Sequence, residues 1–149
     1  MTPTTSPLTT EQRQEITDLY ARYSHAFDEC RADELAALFT EDGVFAREGA
    51  APVAGRESLA ALVRAAAERA PGMRHVVSNV LVEAAAGGAV GRAYVVALVV
   101  GDTDLRLATF GRYDDEFVPT PEGWRLRVRR FTPFVPAVLA NAVLAVTVP

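Results

Sequence analysis

The hydrophobic pattern of this chain changes period at Pro71-Gly72, and that change constrains the fold more than any other feature. Before it, apolar residues recur at helical intervals. After it come four long stretches rich in Val, Leu and aromatics: Met73 to Ala84, Ala89 to Val100, Leu105 to Val118 and Trp124 to Phe131. Gly or Pro turns separate them, which predicts four antiparallel strands in meander order. Helices first and a run of strands after predict an α+β fold rather than alternating α/β, and so disfavour a parallel nucleotide-binding sheet.

In the first half, Thr9 and Gln12 stand at capping-box spacing, and Ile16, Leu19, Tyr20, Tyr23 and Phe27 follow at helical intervals. A first helix is therefore expected to run to about Phe27. Asp33 ahead of Leu35, Leu38 and Phe39 predicts a second, short helix, and Glu41-Asp42-Gly43 then turns the chain into a strand at Val44-Phe45. The Ala-rich stretch Arg56 to Arg69 predicts a third helix, stopped by Pro71-Gly72. Residues 1–7, rich in Thr, Ser and Pro, read as a tail, and 8–149 as one domain without internal repeats.

Half of the 149 residues are hydrophobic, enough to bury one sizeable core. The formal net charge of -4 argues against a nucleic-acid surface, which needs clustered excess cations. A single cysteine, Cys30, cannot form an internal disulfide; it reads as an inert thiol, and a reducing cytoplasm is the expected setting. Met1 to Thr10 lacks the features of a secretory signal. The apolar segment 134–149 is interrupted by Pro136 and Asn141 and falls short of the roughly 20 apolar residues of a membrane span. It is expected to cover something, as a pocket lid or a subunit interface, with helix-forming composition from Ala137 to Ala145.

Alternation puts His75, Val77, Asn79 and Leu81 on one face of their strand, and Trp124, Leu126 and Val128 on the core face of the last one. Arg125, Arg127 and Arg129 then form a solvated, ion-paired outer row. A curved sheet closed by helices leaves a cavity, where polar residues are few and costly to bury, so those are the candidate site. Imidazole exchanges a proton in the neutral range, and a carboxylate behind it fixes its tautomer; Asp28 with His75 supplies that chemistry. The structural alternative is a core histidine bonded to a carbonyl, with Asp28 ending one helix or capping the next. Tyr23 is placed to orient a substrate carbonyl, while Tyr20 fills the core. Asn79 serves either a substrate oxygen or a neighbouring strand. Tyr94 and Thr109, at alternation positions shared with Val96 and Leu107, are expected to line the pocket, with Phe45 and Trp124 as apolar wall or core. His25 falls off the apolar helix face, near the surface. The chain lacks a Gly-rich phosphate loop, HExxH, a CxxC pair and a nucleophile elbow, so neither cofactor nor metal is expected.

The segment YSHAFDECRADELAALFTEDGVF from Tyr23 to Phe45, with Gly55-Arg56-Glu57, Met73-Arg74-His75, Asn79 and Gly123-Trp124-Arg125, resembles the SnoaL-like proteins of the nuclear-transport-factor-2-like superfamily. The resemblance runs from Leu8 to Phe131. It implies an α+β cone, with helices on a strongly curved mixed sheet and a pocket inside. Asp28 and His75 match the Asp and His pair of the cofactor-free scytalone dehydratase type. Phe27 stands where that type has a tyrosine, Thr109 where it has an asparagine, and a second pocket histidine is missing, so the same substrate is not implied. What the resemblance implies is a cofactor-independent acid-base enzyme of dehydratase, cyclase or isomerase type. Its substrate would be a small, largely apolar metabolite such as a polyketide intermediate. The alternatives are a non-catalytic binding module or shape-only cyclase, and a dimerisation domain. A homodimer through the sheet surface is expected, with no nucleic-acid or membrane partner.

Overall fold

Thr9 caps the first helix as its spacing predicts: its hydroxyl accepts from the Gln12 N–H at 3.1 Å, and the Gln12 side chain accepts from the Thr9 N–H at 3.0 Å. The structure is a computed structural model that describes residues 6–135 and 142–143. Its elements are α1 (Thr10–Asp28), α2 (Ala32–Ala37), β1 (Phe39–Arg47), β2 (Val53–Ala54), α3 (Arg56–Arg69), β3 (Met73–Ala85), β4 (Gly88–Val100), β5 (Leu105–Thr120), β6 (Gly123–Pro133) and β7 (Ala142–Val143).

The sheet runs β2-β1-β6-β5-β4-β3, with β7 added to β5. β3 to β6 form the predicted meander, and β1 joins β6 in parallel, so the sheet is mixed. Helices packed on it make an α+β fold. β1 begins earlier than the Val44-Phe45 turn suggests: Phe39, expected at the end of the second helix, is fully buried and pairs with Leu126. The Phe39 carbonyl accepts two bonds from the Arg56 guanidinium, at 3.1 and 2.8 Å, which ties α3 to the strand. α1 is tied to β6 where the Trp124 N–H donates to Glu15 Oε1 at 3.0 Å. Ile16, Tyr20, Phe39, Leu59, Val63 and Leu126 are the centre of the core. At the turn into β3, Gly72 has φ +84°, and a Cβ there would collide with the Val100 carbonyl oxygen, so glycine is required.

Two bulges overturn the alternation expected in β3 and β6. Between Ser78 and Leu81, β3 carries one residue more than β4 opposite it, and Asn79 takes the left-handed conformation at φ 55°. His75 and Val77 face inward before the bulge and Val80 and Val82 after it, which leaves Asn79 and Leu81 exposed. In β6, Arg127 is the extra residue between Leu126 and Val128. The inward row therefore reads Trp124, Leu126, Arg129, Phe131, and Arg129 is wholly buried rather than solvated.

On β4, the alternation is regular but the inward row is the smaller one: Ala93, Val95 and Ala97 are buried, and Tyr94 is 41 % exposed. Tyr94 therefore lies on the outer face. Both rows of this strand are apolar, so periodicity alone could not orient it. Of the expected C-terminal helix, Ala142 and Val143 are instead paired antiparallel with Leu107 and Arg106; residues 136–141 and 144–149 lie outside the described residues. Among the described residues no helix is long and apolar enough to cross a membrane.

Candidate active site

The concave side of the sheet and the helices enclose a cavity of about 320 Å³. Its walls are mainly apolar, with Phe27, Phe45, Val53, Leu62, Met73 and Phe131 prominent. Tyr23, His75, Thr109 and Tyr113 are the polar uncharged side chains of the lining, Arg47 and Arg69 are its exposed cations, and among the described residues no carboxylate lines it. This size and composition suit a small organic molecule held by a few directed polar contacts.

His75 enters from the start of β3, and Asp28 meets it from the last residue of α1. The Asp28 Oδ1 lies 2.6 Å from His75 Nδ1, and its Oδ2 accepts from the His75 backbone N–H at 2.9 Å. Both side chains are nearly closed off, at 8 % and 11 % exposure. β3 is an edge strand, so the His75 N–H has no strand partner on that side, and the carboxylate satisfies it. A carboxylate facing Nδ1 requires the proton on that nitrogen, which leaves Nε2 as the basic atom. Of the structural alternatives for Asp28, it does end α1, and it does not cap α2. The N-cap of α2 is Arg31, without a side-chain cap bond, and a carboxylate at a helix C-terminus opposes the helix dipole. Phe27 packs edge-on to the imidazole at 4.7 Å between ring centres and fixes its tilt. His25 is exposed, beside a groove between α1 and β3 that reaches the same pair from outside.

Behind the cavity, Arg129 is gripped by Asp115 in a two-pronged pair, Nε to Oδ1 at 3.0 Å and Nη2 to Oδ2 at 2.7 Å. The guanidinium carbon lies 3.9, 4.2 and 5.1 Å from the ring centres of Tyr113, Tyr23 and Tyr20. Burial works against the Arg129 charge, but Asp115 outweighs it and the net direction is up, so the cation persists. Burial pushes the Tyr23 phenol up to about 12, with Arg129 opposing, and drives Tyr113 and Tyr20 up further. Tyr23 and Tyr113 therefore meet the cavity as neutral donors.

Of the residues expected at the site, Asp28 and His75 are brought together, and Tyr23, Phe45 and Thr109 line the same cavity as His75. Asn79 and Tyr94 lie outside it, the first turned out by the bulge and the second on the convex face. Trp124 is buried in the core. Tyr113, Phe131, Arg47 and Arg69 were not anticipated. Tyr113 was within reach, since it shares the alternation of Thr109, whereas Phe131 and Arg129 depended on the β6 bulge.

The sequence profile of a family described as SnoaL-like domain matches residues 9–130. The fold is shared with a protein of Novosphingobium aromaticivorans described as NTF2-like with a cystatin-like fold. That protein is 29% identical at a TM-score of 0.77, with 91% of this chain and 90% of the other covered. Aln2 from a Streptomyces species is 27% identical at a TM-score of 0.77, covering 85% and 93%. A Catenulispora acidiphila protein solved in complex with S-DNPA is 25% identical at 0.76, covering 84% and 95%. Comparison with curated proteins gives no match.

Proposed function

We propose that this chain, which belongs to the SnoaL-like domain family, is a cofactor-independent acid-base enzyme acting on a small, largely apolar carbonyl compound. The observation that carries the reading is the closed Asp28–His75 pair at the wall of an apolar cavity. His75 Nε2 takes a proton from the carbon beside a substrate carbonyl, and Asp28 stabilises the imidazolium that forms. Neutral Tyr23 and Tyr113, with Thr109, line the cavity as donors for the oxygen on which enolate charge builds. Dehydration, cyclisation and isomerisation all begin with that proton removal; the enolate then expels a β-hydroxyl, which leaves as water with the proton, or attacks a second carbonyl, whose new alkoxide takes the proton, or takes the proton back at another carbon. The S-DNPA held by the Catenulispora relative supports a small-molecule ligand, and a polyketide intermediate fits the cavity's apolar character.

Exchange of the α-protons of 2-tetralone in D2O, followed by NMR, tests the first step without knowledge of the natural substrate. The protein should accelerate exchange, and a folded His75→Ala variant should lose the acceleration. Equal exchange by both proteins would leave a pocket that binds or shapes its ligand without moving a proton.

The outer sheet face belongs to the same reading. Tyr94 and Phe110 stack edge-on against Phe134 at 5.8 and 5.3 Å, and Val76 lies exposed on the neighbouring strand. Beside them Asp114 pairs with both Arg92 and Arg112, so the aromatic centre is flanked by an ion-paired polar rim. A second copy of the chain is the occupant proposed for this face.

A further inference from the structure

We infer that the cavity takes an amphipathic anion, whose apolar body lies along the walls and whose carboxylate is held at the open end by Arg47 and Arg69. The inference rests on the small-molecule reading above and adds the chemical class of the ligand. Depth in the cavity is graded. The side chains of Tyr23, Tyr113 and His75 are all but closed off, whereas Arg47 and Arg69 are exposed and line the same space. The arginines of the outer sheet face, Arg92, Arg112, Arg127 and Arg130, each hold a carboxylate. Among the described residues neither Arg47 nor Arg69 holds one, and no carboxylate lines the cavity to compete for them.

The two arginines reach this position from different elements. Arg47 ends β1, and its guanidinium carbon lies over the Phe131 ring at 5.4 Å, which steadies the side chain at the cavity wall. Arg69 is in the last turn of α3, where a cation also suits the helix dipole; that role alone does not require it to border the cavity. A planar guanidinium fork matches a carboxylate's two oxygens, and two such forks at the end of an apolar slot discriminate charge as well as shape. The polar groups at depth are an imidazole and two neutral phenols, and the exposed polar groups are cations. A matching ligand therefore carries its reacting carbonyl at one end and an acid at the other.

Calorimetry with aromatic carboxylic acids of two and three fused rings, each paired with its primary carboxamide, tests this. Acid and amide share shape and differ in charge. The acids should bind about five- to twentyfold tighter at about 20 mM ionic strength, the preference shrinking with added salt, as expected for two partly exposed ion pairs. In an Arg47→Gln/Arg69→Gln variant the acids should fall to the affinity of the amides for that same variant. Equal binding of acid and amide to the unaltered protein, or a preference that survives in the variant, overturns the inference and leaves the acid-base reading standing. No binding by either member also overturns it, and the 2-tetralone exchange then reports separately whether the acid-base reading falls too.

Discussion

Asp28 holds His75 at two points, one oxygen on ring Nδ1 at 2.6 Å and the other on the backbone N–H at 2.9 Å. One carboxylate thus sets the imidazole's tautomer and secures the edge strand that carries it. The two duties separate by substitution. In Asp28→Asn the amide oxygen still accepts from the backbone N–H, so the fold should persist, while the negative charge behind the imidazole is gone. Exchange of 2-tetralone protons should fall by about 10²-fold or more. Asp28→Ala also strands a buried N–H, at about 1–3 kcal/mol, and should unfold at lower urea. Wild-type exchange in a folded Asp28→Asn protein would remove the carboxylate from the mechanism.

The buried Arg129–Asp115 pair should be strongly asymmetric to mutation. Arg129→Met leaves the Asp115 carboxylate buried without its cation, at a cost of about 3–5 kcal/mol. The double variant Arg129→Met/Asp115→Leu removes both charges and should recover most of that loss. Urea denaturation of the three proteins measures it; a double variant as unstable as the single one would mean that stability comes from the packed tyrosines rather than from charge balance.

Alkaline titration should set three tyrosines apart. Burial raises the phenols of Tyr20, Tyr23 and Tyr113 in the folded state, Tyr23 to about 12, above the ordinary value near about 10. Their contribution to stability is complete below the ordinary value and declines as pH rises beyond it, because the unfolded chain then loses protons that the folded chain keeps. Phenolate absorbance from these residues should therefore appear together with the loss of tertiary circular dichroism. Its appearance in a fully folded protein at pH near about 10 would contradict the buried arrangement.

Replacing Tyr94 or Phe134 by aspartate places a charge at the centre of the outer aromatic cluster. Sedimentation should report a dimer for the unaltered chain and a monomer for either variant, with far-ultraviolet circular dichroism unchanged. A dimer that survives both substitutions would place the interface elsewhere.

Local signals decided much of this fold. The third helix spans Arg56–Arg69 as its Ala-rich pattern predicts, and the four strands after Gly72 follow the predicted order, because period and turn residues act over a few positions. Asp28 and His75, far apart in sequence, were linked through the family resemblance and the chemistry of the pair, with no local signal joining them.

What tertiary structure alone decided is which way certain strands face. One inserted residue at Asn79 and another at Arg127 reverse every later side chain on those strands, so Asn79 leaves the cavity while Arg129 and Phe131 enter the interior. On β4, where both rows are apolar, the interior took Ala93, Val95 and Ala97 and left Tyr94 outside. A local pattern states that two faces exist. The three-dimensional packing selects which one is buried, since that choice depends on the volume available between elements distant in the chain.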